Sequence, residues 1–242
     1  MQSCCHGSQG RSANLPLKVW HNLGLEVEEK TVMCPICSKR KAKRLCPARA
    51  ETICSVCCGT EREVTIDCPS DCLYLIDSRK NDMARMQIDW AKVPFPESKF
   101  NRRFAETNGP LLYAIDRAIC GFAAENRPLV DTDVVAALQN LAESYRTKAS
   151  GIIYEKPLDY ALQRALYENL KVAIVEFREK EAQRVGMTTL RDSDVRDSLI
   201  FLTQLAAVHE NGRPKGRAYL DLIRQQFPKE EFNKSGSSIL LS

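Results

Sequence analysis

Eight cysteines lie within 39 residues, from Cys34 to Cys72, and no other feature limits the fold of this chain as strongly. Two pairs have the spacing C-x2-C, with which a tight turn presents two thiolates to one tetrahedral zinc ion. Eight thiols supply the ligands of two four-coordinate sites. The stretch therefore predicts a small domain that is built around two structural zinc ions.

The order of the cysteines predicts interleaved sites, neither of which forms from one contiguous segment. Cys57 and Cys58 support two sites, because adjacent side chains of an extended backbone point to opposite faces. Cys68 and Cys72 are expected to share one face of a helix that begins at Pro69. The same spacing also admits one complete site with one or two redundant thiols. The predicted ligands are Cys34, Cys37, Cys54 and Cys57 for the first site, and Cys46, Cys58, Cys68 and Cys72 for the second.

A disulfide framework and an iron–sulfur cluster are the competing interpretations of these cysteines. Disulfides need an oxidising compartment, and the first thirty residues contain no apolar core of signal-peptide length. No stretch of the sequence approaches the roughly 20 apolar residues that span a bilayer. We therefore expect zinc as the cofactor, a cytoplasmic location and no association with membranes.

The run C-x2-C-x8-C-x7-C-x2-C over residues 34–57 resembles B-box zinc-binding domains and, more loosely, HIT-type fingers. The resemblance covers about forty of the 242 residues. Arg49 stands where the family has an acidic or cysteine ligand, and Cys68 and Cys72 stand in place of its closing histidines. Cys58 is an additional thiol, which we expect to replace the missing ligand.

The B-box likeness implies a cross-braced module that binds proteins or assemblies rather than a catalyst. The phrase CCGTEREVTIDCPSDCLYL, residues 57–75, also resembles bacterial proteins that join a cysteine-rich front to a helical back. That second resemblance implies no activity.

From Leu73 onward the apolar residues recur at helical spacing, as in Leu162, Leu166 and Leu170. Asp131 and Asp192 stand at positions that favour the start of a helix. The expected fold class is mainly α, with a small two-zinc module followed by an all-helical bundle. The predicted helices of that bundle are Gly109–Asn126, Asp131–Ser150, Leu158–Val185, Asp192–Asn211 and Lys215–Phe227.

A proline-punctuated stretch, VPFPESKF, is expected to separate the metal module from the helical body. The predicted organisation is a weakly ordered segment at 1–30, a zinc-binding domain at 31–78, a linker with a short helix at 79–108 and a helical bundle at 109–242.

The loop from Ser38 to Arg49 contains six positive charges and no negative one. A loop held by metal ligands can engage phosphates at low ordering cost, or an acidic protein surface equally well. The absence of interleaved aromatic residues argues against base recognition. Glu51, Glu61, Glu63 and Asp67 are the acidic residues that could neutralise the loop within the fold. The candidate binding residues are Lys39, Arg40, Lys41, Lys43 and Arg44.

The sequence contains no motif of a hydrolase, a P-loop protein or a dinucleotide-binding enzyme, so we expect no catalysis. Its net charge of +4 is too small for a global nucleic-acid-binding field. The leading hypothesis is a non-catalytic adaptor or regulatory protein with a protein partner. A nucleic-acid-associated zinc protein that uses the basic loop is the first alternative. A thiol redox or metal sensor built on Cys57 and Cys58 is the second.

Overall fold

The computed structural model describes residues 32–149, 157–187 and 190–232, so the segment predicted at 1–30 lies outside the described residues. Seven helices and one two-stranded antiparallel sheet make up the regular structure of this part of the chain. The predicted mainly α fold class is confirmed. The elements are β1 (Arg44–Cys46), β2 (Glu51–Ile53), α1 (Ser55–Glu61), α2 (Leu73–Arg85), α3 (Arg102–Glu125), α4 (Asp131–Ala149), α5 (Ala161–Val185), α6 (Asp192–His209) and α7 (Ala218–Arg224).

The cysteine-rich module combines the β1–β2 hairpin with the short helix α1. Cys46 pairs with Glu51 at the closed end of the hairpin, where Ala50 adopts a left-handed backbone with φ of 52°. Cys54 directly follows β2 and is the N-cap residue of α1. The module has a core of its own, in which Ile53 and the cysteines pack apart from the core of the helical body.

Two local predictions for the cysteines are wrong. Cys57 and Cys58 lie on α1 and not on extended backbone, although successive helical residues also point in different directions. Cys68 and Cys72 do not share a helical face, because the chain between them makes a turn. In this turn the Cys72 N–H donates to the Pro69 carbonyl at a distance of 3.0 Å. Cys72 is then the N-cap residue, and α2 begins only at Leu73. Proline and aspartate favour such turns as readily as a first helical turn.

The sequence predicts that the zinc-binding domain ends at residue 78. Helix α2 runs through this position and continues to Arg85. The segment from there to Asn101 joins it to α3. The domain boundaries themselves stay predictions.

The helical body is a bundle in which α4 packs against α6, and α5 packs against both α3 and α4. Helix α7 closes the bundle against α3, α4 and α6. Leu166, Leu170 and Ile174 recur at helical spacing on α5 and are buried in the common core. Leu166 and Leu170 belong to the apolar stripe that the sequence indicates, and Ile174 extends their buried face.

Helix α3 begins at Arg102, seven residues before the predicted start at Gly109. The Asn101 side chain caps it by accepting a hydrogen bond from the Phe104 N–H at 2.9 Å. Pro110 lies inside the helix, where it removes one backbone hydrogen bond. A glycine followed by a proline is more typical of a helix start than of an interior, which explains the misplaced boundary.

Helices α4 and α6 begin at the predicted aspartates, which have different environments. Asp131 is fully buried, and its carboxylate accepts the backbone N–H groups of Tyr219 at 2.9 Å and Leu220 at 3.1 Å. Burial raises the pKa of Asp131 to about 7, and these two N–H groups oppose the rise. Asp192 instead lies at the surface between Arg178 and Lys148. The start of α4 therefore also holds the start of α7 in place.

Candidate metal centre

Four cysteine thiols converge at one end of the module. The Sγ atoms of Cys34, Cys37, Cys54 and Cys57 all lie within 4.8 Å of one another. The sulfurs of Cys37 and Cys54 are 4.0 Å apart. Zn–S bonds of about 2.3 Å at tetrahedral angles place sulfurs about 3.8 Å apart, whereas a disulfide needs about 2.05 Å. The structure thus brings together the four residues predicted for the first site, in a geometry that can hold one metal ion.

Two tight turns present these thiols in pairs. In the first turn, the Ser38 N–H donates to the Cys34 carbonyl and the Cys34 N–H donates to the Arg40 carbonyl. The donor–acceptor distance is 2.8 Å in both hydrogen bonds. Ser38 has a left-handed backbone, with φ of 51°, that reverses the chain. In the second turn, the Cys57 N–H donates to Cys54 Sγ at 3.3 Å. A backbone N–H aimed at a sulfur stabilises the thiolate, which is the form that binds metal.

Cys34 and Cys57 have pKa values shifted in opposite directions, although they share one small volume. Burial alone would raise the pKa of Cys34, but the N–H groups of Cys54, Cys37 and Ile36 outweigh it and lower the pKa to about 6. Burial raises the pKa of Cys57 to about 12, and the three neighbouring thiols add to the rise. All four become thiolates together only if a cation neutralises them.

The surroundings of the thiols contain little apolar surface that could stabilise the module by itself. Cys34, Cys54 and Cys57 are buried and Cys37 is half-buried. Besides cysteines, the buried core of the module contains only Ile53 and Ile66. A unit of about forty residues with so small a core usually needs a metal or disulfides to fold.

Two of the thiols predicted for the second site, Cys46 and Cys72, affect the pKa of a third, Cys68. Cys46 is buried at the end of β1, and Cys72 is buried at the start of α2. Burial raises the pKa of Cys68. The backbone N–H of Glu63 opposes this rise, and the nearby thiols of Cys72 and Cys46 add to it.

Cys58, the fourth of these thiols, lies beside two guanidinium groups. Its Sγ is 3.6 Å from Arg44 Nη1 and 3.8 Å from Arg62 Nη2. Within the described ranges, the cysteines of the first predicted site are the only group whose sulfurs all lie within 4.8 Å of one another. The second zinc site stays a prediction.

The basic loop presents most of its charge to solvent. Lys39, Arg40, Lys41 and Lys43 are exposed. Arg40 Nη1 also approaches Cys37 Sγ, at 4.0 Å, so one of these cations lies beside the thiol cluster. Arg44 is half-buried, and its guanidinium lies 4.6 Å from the centre of the Tyr74 ring.

Of the four acidic residues expected to neutralise the loop, only Glu51 pairs with one of its cations. Glu63 pairs with Arg79 at 2.7 Å, and Asp67 pairs with Arg217. Glu61 accepts a hydrogen bond from the Thr65 hydroxyl at 2.6 Å. Glu51 pairs only with Arg49, the last residue of the loop, at 3.0 Å.

Glu63 is a structurally important residue that no sequence signal identifies. It is 2% exposed, and its backbone is left-handed, with φ of 52°. Its carboxylate accepts hydrogen bonds from Arg79 Nη2 at 2.7 Å and Asn211 Nδ2 at 2.8 Å. Its carbonyl accepts the Lys215 N–H at 2.8 Å, and Arg79 also pairs with Asp221. These contacts fix the metal module to the α6–α7 turn and to α7.

Among the helices of the described part of the chain, none combines the length and apolarity needed to cross a membrane. Comparisons of the chain with protein-family models, with curated proteins and with solved structures found no match.

Proposed function

We propose that Cys34, Cys37, Cys54 and Cys57 bind a structural zinc ion and that the protein is a non-catalytic adaptor or regulatory protein. The convergence of four thiols supports this proposal. Four thiolates fill the tetrahedral coordination of zinc and leave no position for a water molecule or a substrate. Sulfur ligands also favour zinc over hard cations such as magnesium and calcium.

The contacts between the module and the body support an interaction role. Arg79 pairs with Glu63 of the metal module and with Asp221 of α7, and these ion pairs join the module to the helices in one surface. A preformed surface binds a partner without the cost of ordering itself. A module of this kind is implied by the B-box-like spacing of Cys34, Cys37, Cys46, Cys54 and Cys57. Thiols in this number persist in reducing compartments, and we therefore propose a cytoplasmic location.

The second zinc ion belongs to the same proposal, with Cys46, Cys58, Cys68 and Cys72 as its ligands. Native mass spectrometry of protein purified with its metal is expected to find two zinc ions per chain, and only one in the double variant Cys68→Ser/Cys72→Ser. A Cys120→Ala control, which removes a thiol from α3, should keep both ions. A single zinc in the unmodified protein would reject the second site and retain the first.

Nucleic-acid association is the second candidate, and the unpaired cations of the basic loop favour it. Lys39, Arg40, Lys41 and Lys43 are exposed and form no ion pair with any described residue. Clustered cations on a rigid loop neutralise phosphates and release counterions, so such binding weakens steeply as salt rises. An acidic protein surface would use the same charges.

Labelled RNA and DNA distinguish the two candidates when binding is measured at low salt and at about 0.15 M salt. The adaptor proposal predicts no binding that survives the higher salt. One variant reverses the charges of the loop residues Lys39, Arg40, Lys41 and Lys43. A matched control variant reverses the same number of exposed charges elsewhere, at Lys80, Arg85, Arg103 and Lys229. Micromolar binding that persists at the higher salt, and that only the loop variant loses, would replace the adaptor function with nucleic-acid association.

A further inference from the structure

A groove of about 710 Å³ lies between α6 and the segment that joins α2 to α3. Phe201, Leu205 and Val208 form its helical wall, at the spacing of one helix face. Trp90 and Phe100 belong to the opposite wall, and the rings of Phe100 and Phe201 meet edge to face at 5.7 Å. The walls are therefore mainly apolar and aromatic, as in most ligand-binding sites.

A hydrogen-bonded side chain joins α6 to the segment on the other side of the groove. Gln204 is 8% exposed, and its Nε2 donates to the carbonyl oxygens of Phe95 at 2.8 Å and Ser98 at 3.0 Å. Phe95 adopts a left-handed backbone with φ of 55°, which a bulky residue maintains only where its surroundings enforce it. Gln204 thus ties the two walls of the groove together.

Gln204, which lines the groove, also has an unused hydrogen-bond acceptor. Its hydrogen bonds to described residues all come from Nε2, which leaves Oε1 without a donor there. Oε1 is not among the described polar atoms that are sealed from solvent without a partner, so it keeps some contact with solvent. An occupant should therefore carry an N–H or O–H group next to its apolar part.

Lys99 and Trp90 indicate the charge and shape of the occupant. Lys99 lines the groove, is exposed and forms no ion pair within the described ranges. The Trp90 residue is 58% exposed, so the groove is an open trough and not an enclosed cavity. A small molecule is usually buried for most of its surface in its site, whereas an open trough suits a chain that runs through it.

We propose that this groove binds an extended segment of a partner protein, which carries a large apolar side chain next to an acidic residue. The apolar side chain packs between Trp90 and Phe201, the backbone N–H of that residue donates to Gln204 Oε1, and the carboxylate pairs with Lys99. Extended segments have free N–H groups, whereas those in the interior of a helix are already paired. The proposal rests on the adaptor function and names the chemistry of its partner.

Fluorescence anisotropy tests this on the full-length zinc-loaded protein with labelled nine-residue peptides, blocked at both ends. Each peptide has a central phenylalanine flanked by aspartates or by lysines. We expect the aspartate peptide to bind about fivefold to tenfold more tightly than the lysine peptide. Methylation of the central amide nitrogen should weaken binding about tenfold, because Oε1 then loses its donor.

Three variants locate the binding site. Leu205→Arg is expected to abolish binding, and Val172→Arg, at an exposed apolar position of α5, should leave it unchanged. Lys99→Glu alters only an exposed side chain and should reverse the preference for aspartate. Circular dichroism of each variant verifies that it is folded.

Equal affinity for both peptides, binding that Leu205→Arg does not affect, or equally tight binding of N-acetylphenylalanine amide would overturn the proposal. So would the absence of binding to any peptide. If the same protein retains its zinc and does not bind nucleic acid, a lack of peptide binding rejects only this groove and leaves the adaptor function standing.

Discussion

Replacement of Cys34 by alanine is expected to unfold residues 34–72 while the helical body stays folded. A structural zinc contributes about 10–16 kcal/mol to the folding of small zinc domains. The core of this module is mostly cysteine and includes only two isoleucines. The body has a separate core, formed mainly by α3 to α7, which does not depend on the metal. Chelation of the zinc should have the same effect as the substitution.

Limited proteolysis with mass spectrometry measures this, together with zinc content and far-ultraviolet circular dichroism. We expect new cleavage confined to residues 34–72 and only a small loss of helical signal. Cys120→Ala is the matched control, because it removes a buried thiol from α3 and should lower stability by about 1 kcal/mol without loss of zinc. An unchanged cleavage pattern in zinc-free protein would contradict a structural metal. A complete loss of helical signal would show that the module and the body fold as one unit.

Glu63→Ala is expected to lower the free energy of unfolding by about 3–5 kcal/mol, because it breaks a buried ion pair. The Arg79 side chain is only 18% exposed and would lose one of its two carboxylate partners. The amide of Asn211 would lose its acceptor as well. A buried donor left without a partner pays its full desolvation cost.

Chemical denaturation of the zinc-loaded protein measures this change. Glu51→Ala is the control, since Glu51 forms an exposed pair with Arg49 and should contribute less than about 1 kcal/mol. The double variant Glu63→Ala/Arg79→Ala should be less destabilised than the sum of the two single variants, because both act on one pair. A loss below about 1 kcal/mol for Glu63→Ala, or strict additivity, would contradict the role of the pair.

Much of the helical body could be predicted from local signals. Asp131 and Asp192 mark the starts of α4 and α6, because aspartate is favoured in the first turn of a helix, where its charge complements the helix dipole. The apolar spacing of α5 likewise indicates its buried face. The start of α3 was misplaced because Gly109 and Pro110 imitate a boundary, whereas the effective cap is Asn101.

The prediction that Cys68 and Cys72 share a helical face failed for a related reason. The same residues that favour a first helical turn, such as Pro69 and Asp71, also favour a tight turn, and local sequence does not distinguish the two. Cys72 is the N-cap residue of α2, so the backbone between Cys68 and Cys72 forms a turn and not a helix. A spacing of four residues places two side chains on one face only where the backbone between them is helical.

The sequence by itself determined the helical periodicity, the starts of α4 and α6 and the four cysteines of the first site, because each depends on spacings of a few residues. Tertiary structure alone decided the burial of Glu63 against Arg79, the capping of α7 by Asp131 and the groove between Trp90 and Phe201. These contacts join residues that are 16 to more than 100 positions apart in the chain. No local pattern encodes such a pairing, since it arises only when packing of the apolar faces brings distant segments together.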